Sequence, residues 1–185
     1  MKVVLTVPHA KESSNLKQDE KYHLHDKKAK IFAEFLYKNF KNYTECFLLV
    51  GYVNRSQCDL NRITCYSTFR NQLNTILTTN NLKKNILLDI HSFPSKENQD
   101  YEIYFIITKY DFKSIYFANK LLANLNNKNI KTGILEGKNS VNYIIHKGYE
   151  YNYISILIEI RENLSRERIK YISEIIFYFI YKMST

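Results

Sequence analysis

Residues 153–161, YISILIEIR, are apolar at nearly every position over a length typical of a strand. A strand of that kind has to be covered on both faces. Ile154, Ile156, Ile158 and Ile160 alternate onto one face, which sends Leu157, Glu159 and Arg161 to the other. A carboxylate on a doubly covered strand costs several kcal/mol unless it is paired or put to use. Glu159 is therefore either half of a buried pair with Arg161 or a working group.

The remaining apolar pattern supplies the partners such a strand needs. Strand-like runs occupy 2–8, 46–53, 85–90, 101–108 and 132–136. Between them lie helical spacings at 26–40, with Asp26 as N-cap, and at 66–79. A further helix opens at Asp111, a short one covers 139–147 and is closed by Gly148, and the last is capped by Ser165. This βαβα alternation predicts an α/β three-layer sandwich, a mostly parallel mixed sheet flanked by helices. With 45% apolar residues, 4 Gly and 2 Pro, the chain reads as one domain over 1–185 without linkers or repeats. No apolar run approaches a membrane span, and MKVVLTVPHAKE is charged too early for a signal peptide. A soluble, cytoplasmic protein is expected. Cys46, Cys58 and Cys65 form an odd set without CxxC spacing, so neither a disulfide framework nor a thiolate zinc site is expected.

Net charge is +9, but the excess is lysine: 21 Lys against 6 Arg, beside 20 Asn and 22 Ile, the bias of an AT-rich coding sequence. The lysines are scattered in runs no longer than two, which describes a solvated surface better than a nucleic-acid footprint. Where the scarce arginines fall is more telling. Arg55 and Arg62 sit in NRSQCDLNR with Asp59 and Asn61, and Arg161 follows Glu159.

In open α/β sheets ligands gather beyond the carboxyl ends of the strands. His9 stands just past the first strand in PHAKE, with Glu12 three residues on. Asp89, His91 and Ser92 stand at the end of the third strand in DIHSFP. Two histidines and a carboxylate meeting at such a place make a three-ligand zinc site with an open position, and a second carboxylate nearby is a general base. Ser92 lacks the G-x-S-x-G elbow of a nucleophile.

The ordered set PHxx, RxxxDLNR, DIHSFP and ILIEIR, spanning roughly residues 3–164, resembles the N-formylglutamate amidohydrolase family, itself similar to zinc carboxypeptidases and aspartoacylase-type amidohydrolases. The resemblance implies a zinc-exopeptidase, phosphorylase/hydrolase-like fold and zinc-dependent hydrolysis of an amide C–N bond. It implies His9 and His91 as metal ligands, with either Glu12 (the HxxE pattern) or Asp26 (the helix-opening acid) as the third. His23 and His25 lie in the same stretch. It further implies Asp59 and Asp89 behind the metal ligands, Asn61 and Arg62 on a substrate carboxylate with Arg55 and Arg161 nearby, and Glu159 as the proton-transferring carboxylate. A guanidinium fork grips a carboxylate in two parallel hydrogen bonds, which lysine does not do. The expected substrate is a small N-acyl amino acid or a peptide-like amide bearing a free carboxylate. The competing readings are a carboxypeptidase-type peptidase, including one acting on cell-wall peptide, and a non-catalytic basic binder on the same fold.

Overall fold

The computed structural model of the protein describes residues 1–11, 26–53, 58–62, 64–65, 67–79, 84–95, 100–137 and 142–184. In chain order these form β1 (Lys2–Val7), α1 (Lys27–Phe40), β2 (Glu45–Val50), α2 (Thr68–Thr78), β3 (Asn85–Phe93), β4 (Ile103–Thr108), α3 (Phe112–Asn126), β5 (Thr132–Gly137), α4 (Tyr143–Glu150), β6 (Ile154–Arg161) and α5 (Arg166–Ser184). The strands make one mixed sheet in the order β2-β1-β3-β6-β4-β5. β2, β1, β3 and β6 run parallel, whereas β4 lies antiparallel to β6 and parallel to β5. The α/β sandwich read from the sequence is the fold. Among the described residues no helix is long and apolar enough to cross a membrane.

Strand alternation divides the molecule into two apolar layers. Leu5 on β1, Leu88 on β3, Phe105 on β4 and Ile158 on β6 share one core with α1, α3 and α5. Val4 and Leu87 point the other way, into a smaller core with Leu73 and Leu77 of α2 and Ile144 of α4. This second face also receives polar side chains of the central strands. Thr6 pairs in register with Asp89, and His91 with Glu159. Because registered residues of parallel neighbours point to the same side, the four polar groups share the α2/α4 face.

Among the boundaries that differ from the sequence reading, two have a packing reason. The third strand does not stop at Ile90 but runs to Phe93, held by β6, whose Arg161 registers with Phe93. His91 and Ser92 therefore lie within the strand rather than past it. Gly148 does not close α4 but sits inside it, because a Cβ there would stand 2.0 Å from Ser155 Oγ and 2.6 Å from Leu87 Cδ2. The chain instead turns away from the helix at Asn152, whose φ is 62°. The Tyr153 N–H then reaches back to the Gly148 carbonyl at 2.9 Å. Gly148→Ala should lower stability by roughly 1–3 kcal/mol through overpacking, read from urea denaturation. An unchanged midpoint would show that α4 moves off the sheet without loss.

Candidate metal centre

Three separate stretches deliver side chains to one point at the carboxyl ends of β1 and β3. His9 follows β1 after the Pro8 stop. The Asp26 N–H donates to the His9 carbonyl at 2.7 Å, which brings the head of α1 to the end of β1. Asp26 occupies the N-cap position of α1, yet its side chain makes no capping hydrogen bond. His91 comes from the buried strand β3. Gly51, just past β2, allows a close approach of backbone to backbone, since a Cβ there would lie 2.0 Å from the Pro8 carbonyl oxygen.

The three residues are buried, none more than 5% exposed, and the rings of His9 and His91 meet edge to face at 4.9 Å. Asp26 Oδ2 lies 3.4 Å from His9 Nδ1 and 3.2 Å from His91 Nδ1. Among the described residues, His9, Asp26 and His91 offer ligand atoms that all fall within 4.8 Å of one another. Among the described residues, His9 Nδ1 and both Asp26 oxygens are buried without a well-formed hydrogen bond, the contacts of Asp26 Oδ2 with the two rings being ion pairs. Buried polar atoms left in that state cost free energy, and a cation between the side chains would relieve it. Two imidazole nitrogens and one carboxylate are a donor set compatible with a metal ion, of the kind that zinc sites with an open coordination position use.

Behind these atoms stand two more carboxylates. His9 Nε2 is 2.8 Å from Asp59 Oδ1, and His91 Nε2 is 3.1 Å from Asp89 Oδ2. Each carboxylate accepts the Nε2 proton and leaves Nδ1 as the nitrogen turned toward Asp26. Asp89, fully buried, also accepts from Thr6 Oγ1 at 2.7 Å and from Asn61 Nδ2 at 3.1 Å. Burial alone would raise the Asp26 carboxyl, but the adjacent His9 and His91 hold it well below the usual carboxylate range. Burial alone would depress the His91 imidazole; Asp89 and Asp26 outweigh it and keep it well above the ordinary histidine value.

Glu159 registers with His91 on one side and with Tyr104 of the antiparallel strand β4 on the other, which places it on the face of the metal-ligand candidates. Arg161 shares that face two residues on, across from Phe93. The Phe93 and Tyr104 rings meet at 5.5 Å and the Tyr101 and Tyr104 rings at 4.9 Å, an aromatic flank to the acid. Arg62 Nε lies 3.3 Å from Asp59 Oδ2 with the side chain 40% exposed. Ser92 sits on the opposite face of β3 and donates to Glu162 Oε1 at 3.1 Å, so it is turned away from the histidines.

Asn61 departs from its expected place on a substrate carboxylate. It is 4% exposed; Oδ1 accepts the Ile144 N–H at 3.1 Å, and Nδ2 is engaged by Asp89 and stands 3.2 Å from His91 Nε2. Both ends of the amide are committed to the protein, tying the head of α4 to β3. Glu12, His23, His25 and Arg55 lie outside the described residues. No disulfide framework is expected from the sequence, yet the structure holds one bridge: Cys58 and Cys65 are bonded, leaving Cys46 as the odd thiol. A local bridge around a tight loop needs neither CxxC spacing nor an even count. Thr6 joins the site without having been a candidate; its one signal in the sequence is a lone hydroxyl inside KVVLTV.

No protein-family model and no curated protein sequence matches the chain. Solved structures do resemble it. Gene product Atu2144 from Agrobacterium tumefaciens aligns over 97% of this chain and 88% of its own with a TM-score of 0.76 and 17% identity. The catalytic domain of CwlV, an N-acetylmuramoyl-L-alanine amidase from Bacillus (Paenibacillus) polymyxa var. colistinus, aligns over 98% and 97% with a TM-score of 0.62 and 15% identity. N-formylglutamate amidohydrolase from Ralstonia eutropha JMP134 aligns over 98% and 92% with a TM-score of 0.59 and 12% identity. The chain shares its fold with these two amide hydrolases.

Proposed function

We propose that the protein is a zinc-dependent amidohydrolase that cleaves the C–N bond of a small N-acyl amino acid or peptide-like amide carrying a free carboxylate. The observation that carries this reading is the buried trio of His9, Asp26 and His91. Among the described residues, His9 Nδ1 and both Asp26 oxygens have no well-formed hydrogen bond there, while the outer nitrogen of each imidazole is held by a carboxylate. His9 Nδ1, His91 Nδ1 and Asp26 would hold the ion, with Asp26 taking the acidic place that the sequence leaves shared with Glu12. A zinc ion there supplies Lewis acidity toward a carbonyl and toward water. Glu159 takes the proton of the attacking water and returns it to the leaving nitrogen. Asp59 and Asp89 orient the imidazoles, and Asn61 holds Asp89 rather than substrate. Arg62, Arg161 and Arg55 are the candidates for gripping the substrate carboxylate.

The test is metal content together with a substrate panel of N-formyl and N-acyl amino acids. Stoichiometric zinc and hydrolysis abolished by chelation and restored by zinc are expected. A metal-free protein that still hydrolyses amides would overturn the reading. The likeness to an N-acetylmuramoyl-L-alanine amidase supports a second substrate class, an amide joining a peptide to a cell-wall sugar, so muramoyl peptides belong in the same panel.

Arg62→Lys keeps the charge and loses the fork, so a carboxylate-bearing inhibitor should bind roughly 1–3 kcal/mol more weakly. Equal inhibition constants for the variant and the wild type would remove Arg62 from substrate capture.

A further inference from the structure

The Cys58–Cys65 disulfide spans a sequence separation of 7 and encloses Asp59, Leu60, Asn61 and Arg62. Two of those residues reach the outer nitrogens of the histidines, Asp59 at His9 and Asn61 beside His91. Leu60, fully buried, plants the loop in the smaller core, and Cys65 is buried in the same cluster. Inside the bridge the chain folds on itself, with the Arg62 N–H on the Asp59 carbonyl at 2.9 Å and the Cys65 N–H on the Arg62 carbonyl at 3.1 Å.

The two imidazoles are supported from different places. Asp89 rides on β3, a strand buried along its whole length, and Thr6 of β1 braces it. Asp59 rides on the loop. Within that loop the Asn61 N–H at 3.0 Å and Arg62 Nε at 3.3 Å donate to its carboxylate. Cys58 is its chain neighbour, so the bridge acts where the support of His9 enters the fold.

We propose that the Cys58–Cys65 disulfide is a positioning clasp for the metal centre, holding Asp59 against His9 so that reduction loosens the grip on the ion. The inference rests on the metal reading given above. Reduction breaks the Sγ–Sγ bond with two electrons. With a phosphine as reductant, phosphorus takes oxygen from water to become the phosphine oxide, and the two protons of that water end on the two thiols. Burial pushes the Cys46 thiol up to about 12, so it does not exchange with the pair as a thiolate.

Zinc dissociation constants, measured by competition with a chromophoric chelator, test the clasp. The proteins needed are the oxidised chain, the phosphine-reduced chain, Cys58→Ser/Cys65→Ser, Asp59→Asn, and the three substitutions together, each checked for folding by circular dichroism. The serine pair removes the thiols as alternative zinc ligands, and the reduced wild type supplies the same comparison on an unmutated chain. Opening the bridge should weaken zinc binding about 10–100-fold, the scale of losing a group behind a ligand. It should weaken binding less than about twofold further once Asp59 is already Asn, because the bridge acts through that carboxylate. Zinc affinity of the open forms within about twofold of the oxidised chain, or a full loss persisting on top of Asp59→Asn, overturns the clasp. An oxidised chain that takes up no zinc at all would overturn the metal reading itself, and the clasp with it.

Discussion

Asp26→Asn is expected to fold and to bind zinc more than about 100-fold more weakly than the wild type, since even groups behind a ligand are worth about 10–100-fold in metal affinity. The amide keeps the shape and removes the charge facing both Nδ1 atoms at 3.2 Å and 3.4 Å. Glu12→Gln, measured beside it, should leave affinity near the wild-type value. Equal, mild losses would mean that neither acid binds metal. His91 adds a pH signature. Its value is raised in the folded chain, so its ion pairing stabilises the metal-free protein fully below the unfolded value of about 6.5, and that stabilisation fades as pH rises through the raised folded value. A metal ion needs the inward nitrogen of a neutral ring, so zinc uptake within that window should release a proton. Calorimetry in buffers of different ionisation enthalpy reads that proton directly, and no buffer dependence would remove His91 from the ligand set.

Glu159→Gln should fold, keep its zinc and lose at least about 100-fold in turnover, the usual scale for a removed general base. Its position across from His91 in the β3–β6 register supports that role. So does its departure from the isoleucine face of β6, which belongs to the core with α1, α3 and α5. A Glu159–Arg161 pair that served only to hold the sheet together would show as a lowered unfolding midpoint with turnover intact. That outcome would end the catalytic assignment.

The sheet is legible in the sequence because burial on both faces leaves its mark on every residue of a strand such as YISILIEIR. Less can be read where polar side chains interrupt that mark. Asp89, His91 and Ser92 read as the end of β3, although hydrogen bonding to β6 carries the strand through them. Asp26 reads as a cap because an acid opening a helix ordinarily is one. In the fold its carboxylate leaves the helix amides and faces two imidazoles, and an acid at an N-cap that makes no cap bond signals another task. Asn61 reads as a substrate ligand by resemblance, but its chain neighbours give no sign that the distant helix α4 lays the Ile144 N–H on its amide oxygen. Contacts of that kind are set by topology, and local pattern is silent about them.

The bond from the Asp26 N–H to the His9 carbonyl has a meaning for descent as well as for geometry. It staples two of the metal-facing residues together at the neck of an intervening stretch. Length changes between closed ends add little entropic penalty. Insertions and deletions between positions 9 and 26 can therefore accumulate over generations while the pair at the neck stays in place. A lineage that keeps this neck keeps His9 and Asp26 side by side whatever the length of the chain between them.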